Sequence, residues 1–270
     1  MKTKAMLMGL CAVLLVISSC ATTTNKTCSK ILIPAGTEPL PWPEDFDNQP
    51  QPTVITPGPE DRLPPSDAIV LFEGEDISPW LGDDGKTARC KVENGYLELN
   101  HTGSIHTKQA FGDCQLHIEW ASPTDIKDKD GNIKSGQERG NSGVYVMGLY
   151  EIQVLDSYQN KTYPFGSTGA MYGQYPPMVN TCRQPGQWQS FDIIFRRPLF
   201  DEDGNVIRLA RVTVLHNGVL VQDSKTFNGS TQFEKSGSYT PHADKLPIML
   251  QDHGDTIRYR NIWIRELPEL

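Results

Sequence analysis

Short runs of alternating apolar and polar residues, each closed by a turn dipeptide, fill this chain from Ile69 onward. Side chains on a strand point to opposite faces in turn, so this alternation marks half-buried strands. Asp84-Gly85, Asn94-Gly95, Asp130-Gly131, Asp203-Gly204 and Asn217-Gly218 supply the turns, because Asn, Asp and Gly tolerate the left-handed backbone that tight hairpins need. The clearest case is ARVTVLHNGVLVQD, where two strand-like runs flank Asn217-Gly218. Nowhere do apolar residues recur at helical spacing over a dozen positions. The domain therefore reads as all-β, and many strands in about 200 residues favour a two-sheet sandwich or jelly roll.

Three of these strands carry unusual polar faces. In CQLHIEW, Gln115, His117 and Glu119 oppose Leu116, Ile118 and Trp120. In YEIQVL, Glu151 and Gln153 oppose Tyr150, Ile152 and Val154, and in PIMLQDHG, Gln251 and His253 oppose Ile248 and Leu250. A solvated outer face would explain alternation of this kind in any antiparallel sheet. Amides, carboxyls and imidazoles beside Tyr and Trp also suit a sugar surface, since they match hydroxyls while rings stack on C–H faces. Two loops extend this second reading. RGNSGVY sets Arg139, Asn141 and Ser142 before a strand, and GAMYGQYPP holds Tyr172 between glycines and prolines.

The amino terminus has a different texture. Lys2 and Lys4 precede an almost wholly apolar run from Met6 to Ile17, a length suited to a signal peptide and short for a spanning helix. Ile17-Ser18-Ser19-Cys20 then resembles a bacterial lipobox, so residues 1–19 are expected to be cleaved and Cys20 to be lipidated. Residues 20–66, rich in Thr and Pro, read as lipid anchor and extended spacer, and 67–270 as the folded domain. No Asp follows Cys20, which favours an outer-membrane location in the cell envelope. Acidic residues outnumber basic ones, 33 to 25, so nucleic acid is an unexpected partner. Cys28, Cys90, Cys114 and Cys182 would then lie outside the cytoplasm, where disulfides persist, but their spacing ranks no pairing.

Nucleophile elbows, phosphate-binding loops and HExxH zinc motifs are missing from the sequence. Clustered His and Cys are missing as well. One metal arrangement stays open, a divalent ion shared by Glu151 and His253 if their strands are neighbours.

The segments LFEGEDISPW, GNSGVYVMGLYEIQVLDS, GAMYGQYPP, PGQWQSFDI and LPIMLQDHGDTIRYRNIWIREL, in this order, resemble the 3-keto-disaccharide hydrolase family. The likeness runs from about Ile69 to Leu267. It implies a concanavalin-like jelly-roll sandwich of two antiparallel sheets, acting on glycosides oxidised to a ketone at C3. Such a ketone acidifies the C2 proton, so a base can remove it and the C1 aglycone can leave by elimination. His253 is the expected base and Glu151 the second acid or base. Lys108, Arg139 and Gln251 are the expected enolate or hydroxyl partners, with His117, Glu119, Asn141, Gln153 and Tyr172 lining the site. Two other readings stand beside this one. A non-catalytic, lectin-like lipoprotein would use the same face to bind a glycan, and an ordinary glycosidase would pair Glu151 with Glu119 as its two carboxyls.

Overall fold

The computed structural model describes residues 51–269; the expected signal peptide, Cys20, Cys28 and most of the spacer lie outside the described residues. The described part is an all-β jelly-roll sandwich of fifteen strands, as the alternation predicts. In chain order these are β1 (Ile69–Phe72), β2 (Trp80–Gly82), β3 (Lys91–Glu93), β4 (Tyr96–Leu99) and β5 (Ile105–Phe111). There follow β6 (Cys114–Ala121), β7 (Ser142–Val146), β8 (Tyr150–Val154), β9 (Gln189–Arg196) and β10 (Leu199–Phe200). The last five are β11 (Val206–Arg208), β12 (Arg211–His216), β13 (Val219–Thr226), β14 (Leu246–Leu250) and β15 (Ile257–Glu266).

Eight strands form the larger sheet, in the order β13-β12-β9-β6-β15-β4-β3, with β1 also paired to β15. Five form the smaller one, β2-β5-β14-β7-β8, and every pairing in both sheets is antiparallel. The hairpins turn where the dipeptides predict. Asn94 and Gly95 (φ 48° and 78°) join β3 to β4, and Asn217 and Gly218 (φ 53° and 78°) join β12 to β13. Positive φ at both positions is the type I′ geometry whose twist matches the flanking strands.

Alternation then decides which side chains meet between the sheets. Leu116, Ile118 and Trp120 of β6 and Phe191, Ile193 and Phe195 of β9 belong to the same buried cluster as Val144, Ile152, Ile248 and Leu250 from the smaller sheet. The outward face of each sheet is left for polar residues. On the larger sheet that face is covered near its middle by the segment around Arg62. The Arg62 carbonyl accepts hydrogen bonds from Asn261 Nδ2 and Trp263 Nε1, each at 2.9 Å. This segment precedes the first strand and packs on the sheet without adding to it. Cys90, Cys114 and Cys182 are free thiols, and no described helix is long and apolar enough to cross a membrane.

Candidate active site

The outward face of the smaller sheet carries the residues that can do chemistry. In β7 and β8, Tyr145 stands directly across from Glu151, and Gly143 across from Gln153. The parity that buries Val144 and Ile152 therefore turns these four outward together. The neighbouring strand, β14, pairs Met249 with Tyr145, and its continuation brings Gln251 and His253 to the same place. Tyr145, Glu151, Gln153, Gln251 and His253, with Asn141, Tyr172, Thr231 and Phe233, line a cleft of about 200 Å³.

Glu151 is the electrostatic centre of the cleft. Its burial raises the carboxyl to about 8, although a hydrogen bond from the Tyr145 hydroxyl pulls the other way. Desolvation outweighs that single donor, so Glu151 carries a proton near neutral pH. Tyr145 is also pushed well above its ordinary range, first by burial and then by the facing Glu151, so its hydroxyl stays protonated.

A chain of amides fixes where the Glu151 proton points. Gln137 Nε2 donates to the Gly166 carbonyl at 2.8 Å, and Asn141 Nδ2 donates to the Gln137 carbonyl at 2.9 Å. Backbone carbonyls only accept, so both side-chain oxygens are left facing Gln153. Gln153 Nε2 donates to them, at 3.2 Å to Gln137 Oε1 and 3.1 Å to Asn141 Oδ1. The Gln153 oxygen is thereby set 3.0 Å from Glu151 Oε1. Turning that amide over would give an ionised Glu151 a donor, but would press the Gln153 oxygen against the oxygens of Asn141 and Gln137. With Glu151 protonated its O–H donates to Gln153 Oε1, which relieves that contact and leaves the Ser142 carbonyl, 3.2 Å away, as the one acceptor still facing the Gln153 oxygen.

Of the described residues that line the cleft, Glu151 is its one carboxyl and His253 its one imidazole. Nowhere among the described residues do three His, Cys, Asp or Glu converge as a metal set. One carboxyl and one imidazole supply only two of the ligands a divalent ion needs, so the rest of its shell would have to come from amides, water or substrate.

Residues 67–265 match the model of the 3-keto-alpha-glucoside-1,2-lyase-like domain. The chain belongs to this family. A 3-keto-disaccharide hydrolase of Bacteroides thetaiotaomicron is 23% identical over 74% of this chain and 78% of its own length. A candidate glycosyl hydrolase of Parabacteroides distasonis, solved as a crystal structure, is 44% identical with a TM-score of 0.76, over 81% of this chain and 93% of its own. A second candidate glycosyl hydrolase of that organism shares the fold at 21% identity and a TM-score of 0.53, over 74% and 94% of the two chains.

Within this 3-keto-alpha-glucoside-1,2-lyase-like domain, the structure brings together six of the residues expected from sequence: Asn141, Glu151, Gln153, Tyr172, Gln251 and His253. Four fall elsewhere. His117 and Glu119 share a strand face as read, but that strand, β6, belongs to the larger sheet and its polar face points away from the cleft. There His117 Nδ1 lies 2.6 Å from Asp192 Oδ1 and its ring stacks on Trp263 at 5.2 Å. Burial alone would raise the Glu119 carboxyl. Hydrogen bonds from His117, Asn261 and Arg260 hold it instead at about 2.

Arg139 is likewise structural. It is buried, with Nε 2.9 Å from Asp156 Oδ2, and it donates to the Tyr158 carbonyl. Lys108 is exposed on β5, outside the cleft lining. Sequence reasoning missed Tyr145, Thr231, Phe233 and Gln137. Tyr145 was within reach, because it has the parity of Gly143 in SGVY and pairs with Glu151. Thr231 and Phe233 come from an irregular segment and Gln137 from a single 3-10 turn, Gly136–Glu138, all too short to carry a period to read.

Proposed function

We propose that this chain cleaves 3-keto-glycosides by removing the C2 proton and eliminating the C1 aglycone. The observation that carries this reading is one small polar cleft whose described lining holds a single buried carboxyl, Glu151, and a single exposed imidazole, His253. An ordinary retaining or inverting glycosidase needs two carboxyls flanking the scissile bond. Glu119, the expected partner for that role, lies on the other sheet. A 3-keto-glycoside needs instead one base, one acid and neutral donors.

His253 takes the C2 proton, which the adjacent C3 ketone acidifies, and an enolate forms. The Gln251 amide is the neutral donor available to its oxygen: one N–H reaches the Tyr145 hydroxyl at 3.4 Å and the second is left for the enolate, while the single Tyr145 O–H is held by Glu151. The C1–O bond then breaks while Glu151 gives its proton to the departing oxygen, leaving a C1=C2 enone. Water adds at C1, Glu151 takes back a proton, and His253 returns the other to C2. Both groups end as they began, and the net reaction is hydrolysis.

The expected signal peptide and lipid on Cys20 would tether this chemistry to a membrane of the cell envelope, most simply the outer membrane. The 3-keto-disaccharide hydrolase among its relatives supports the substrate class. Purified protein incubated with an oxidised and an unoxidised disaccharide tests the reading. We expect aglycone release from the 3-keto form alone, unchanged by a chelator and lost in His253→Ala and Glu151→Ala. Saturable binding of the unoxidised sugar with no turnover of either would instead establish a lectin.

A further inference from the structure

Next to the cleft lies a second, very different depression of about 260 Å³. It is lined by Tyr163, Phe165, Tyr172, Gly173, Phe233 and Glu234, so Tyr172 and Phe233 belong to both. Large apolar side chains are seldom left in water as a group, and contiguous ones mark binding surfaces. Here Tyr163, Phe165 and Phe233 are 44%, 45% and 68% exposed and border a single hollow.

The shelf is built rather than incidental. Phe165 rides on a short turn, Pro164–Gly166, that is clamped from behind by Gln137 Nε2 on the Gly166 carbonyl. The Phe165 carbonyl accepts from Gly173 N at 3.0 Å, which ties this turn to the Tyr172 loop. The Tyr163 and Tyr172 hydroxyls bond to each other at 2.7 Å, so part of the shelf's small polar capacity is already used. Glu234 is its one charge. A second sugar would meet few fixed hydrogen-bond partners here, whereas a flat ring would meet four aromatic side chains.

We propose that this shelf is the aglycone subsite and that it selects a planar aromatic aglycone, making aryl 3-keto-glycosides the preferred substrates over 3-keto-disaccharides. The inference rests on reading the cleft as the site of the keto-sugar ring. Tyr172, common to both hollows, then marks the boundary where the glycosidic oxygen passes, beside the Glu151 carboxyl.

Phe165→Ala is the informative variant, because Phe165 lines the shelf and not the cleft. Its kcat/KM on p-nitrophenyl 3-keto-glucoside and on a 3-keto-disaccharide would each be divided by the wild-type value, which cancels the intrinsic leaving-group difference. The ratio of the two quotients should fall about tenfold against the aryl substrate, the worth of one ring contact. Equal losses on both, a larger loss on the disaccharide, or no loss on either would overturn the subsite. Saturation-transfer NMR with unoxidised p-nitrophenyl glucoside gives a readout independent of turnover. Transfer to the aryl protons that weakens in Phe165→Ala supports the shelf, and no transfer in the wild type refutes it. Failure of both oxidised substrates to react would count against the hydrolase reading, while the NMR result still decides the shelf.

Discussion

Glu151 occupies the space that a side chain at Gly143 would need. A Cβ added to Gly143 would stand 2.5 Å from Glu151 Oε1 and 2.7 Å from Tyr145 Cε2, well inside contact distance. The glycine of the SGVY segment is therefore there for close approach, letting the acid and its tyrosine lie flat over β7. Gly143→Ala should leave the fold intact, because its outward face is not part of the core, yet push the carboxyl aside. We expect kcat to drop about 100-fold, the usual cost of displacing a catalytic group by about 1 Å. Steady-state kinetics alongside an unchanged far-ultraviolet circular dichroism spectrum would check this. Near-normal kcat would show that the carboxyl position is not critical.

Glu151 also ties stability to pH. Its folded-state value of about 8 lies above the ordinary 4.5, so the folded state holds the proton more tightly than the unfolded one. That contribution is fully present below about pH 4.5 and is lost as pH rises through about 8. Glu151→Gln keeps the shape and removes the titration. The variant should be inactive yet gain several degrees in Tm over the wild type at pH 9, with little difference at pH 4. Parallel Tm-against-pH curves for the two proteins would show that Glu151 ionises in the folded state without cost.

Strand existence was legible because period-2 alternation and Asn-Gly turns are local signals. The Asn217-Gly218 hairpin needed nothing beyond its own fourteen residues, ARVTVLHNGVLVQD, to be placed. Which sheet a strand joins is not local. His117 and Glu119 share the face pattern of Glu151 and Gln153, but β6 is set between β9 and β15 by pairings with residues at least 69 positions away. Alternation fixes the face of a strand and says nothing of its sheet. The same limit hid Gln137, whose role depends on folding of the charged segment 122–140 back toward Gln153.

Arg139 offers a direct contrast between a substrate ligand and a structural cation. Its guanidinium lies against Asp156 and the Tyr158 carbonyl, all buried or nearly so, and it does not line the cleft. Asp156 pays a desolvation penalty that raises its carboxyl, and Arg139 is the charge that opposes this. Removing one partner of a buried pair leaves the other unmatched, at a cost of about 3–5 kcal/mol. Arg139→Ala should therefore lose that much stability in denaturant unfolding, while the fraction that stays folded keeps its KM. A raised KM with unaltered stability would return Arg139 to the substrate.

The amide chain behind Glu151 makes a sharper prediction about the alkaline side of the pH–rate profile. If Glu151 acts as the acid, kcat should fall as pH rises through about 8, where its proton is lost. Gln137 never touches Glu151; it acts by holding Gln153 Nε2 toward itself at 3.2 Å, which keeps the Gln153 oxygen on the carboxyl. Gln137→Leu deletes one of the two oxygens that pin the amide. Gln153 can then turn its nitrogen to Glu151 Oε1, 3.0 Å away, and give the ionised form a donor it lacks in the wild type. The alkaline limb should move to lower pH by about one unit, the worth of one hydrogen bond of about 1.4 kcal/mol. A purely structural role for Gln137 would lower kcat at every pH and leave the limb where it was. Asn141 keeps its own oxygen on Gln153 in this variant, so Gln137→Leu with Asn141→Leu should move the limb further than either change alone. An alkaline limb that stays fixed in all three variants would mean that burial alone, with no help from the amides, keeps the proton on Glu151.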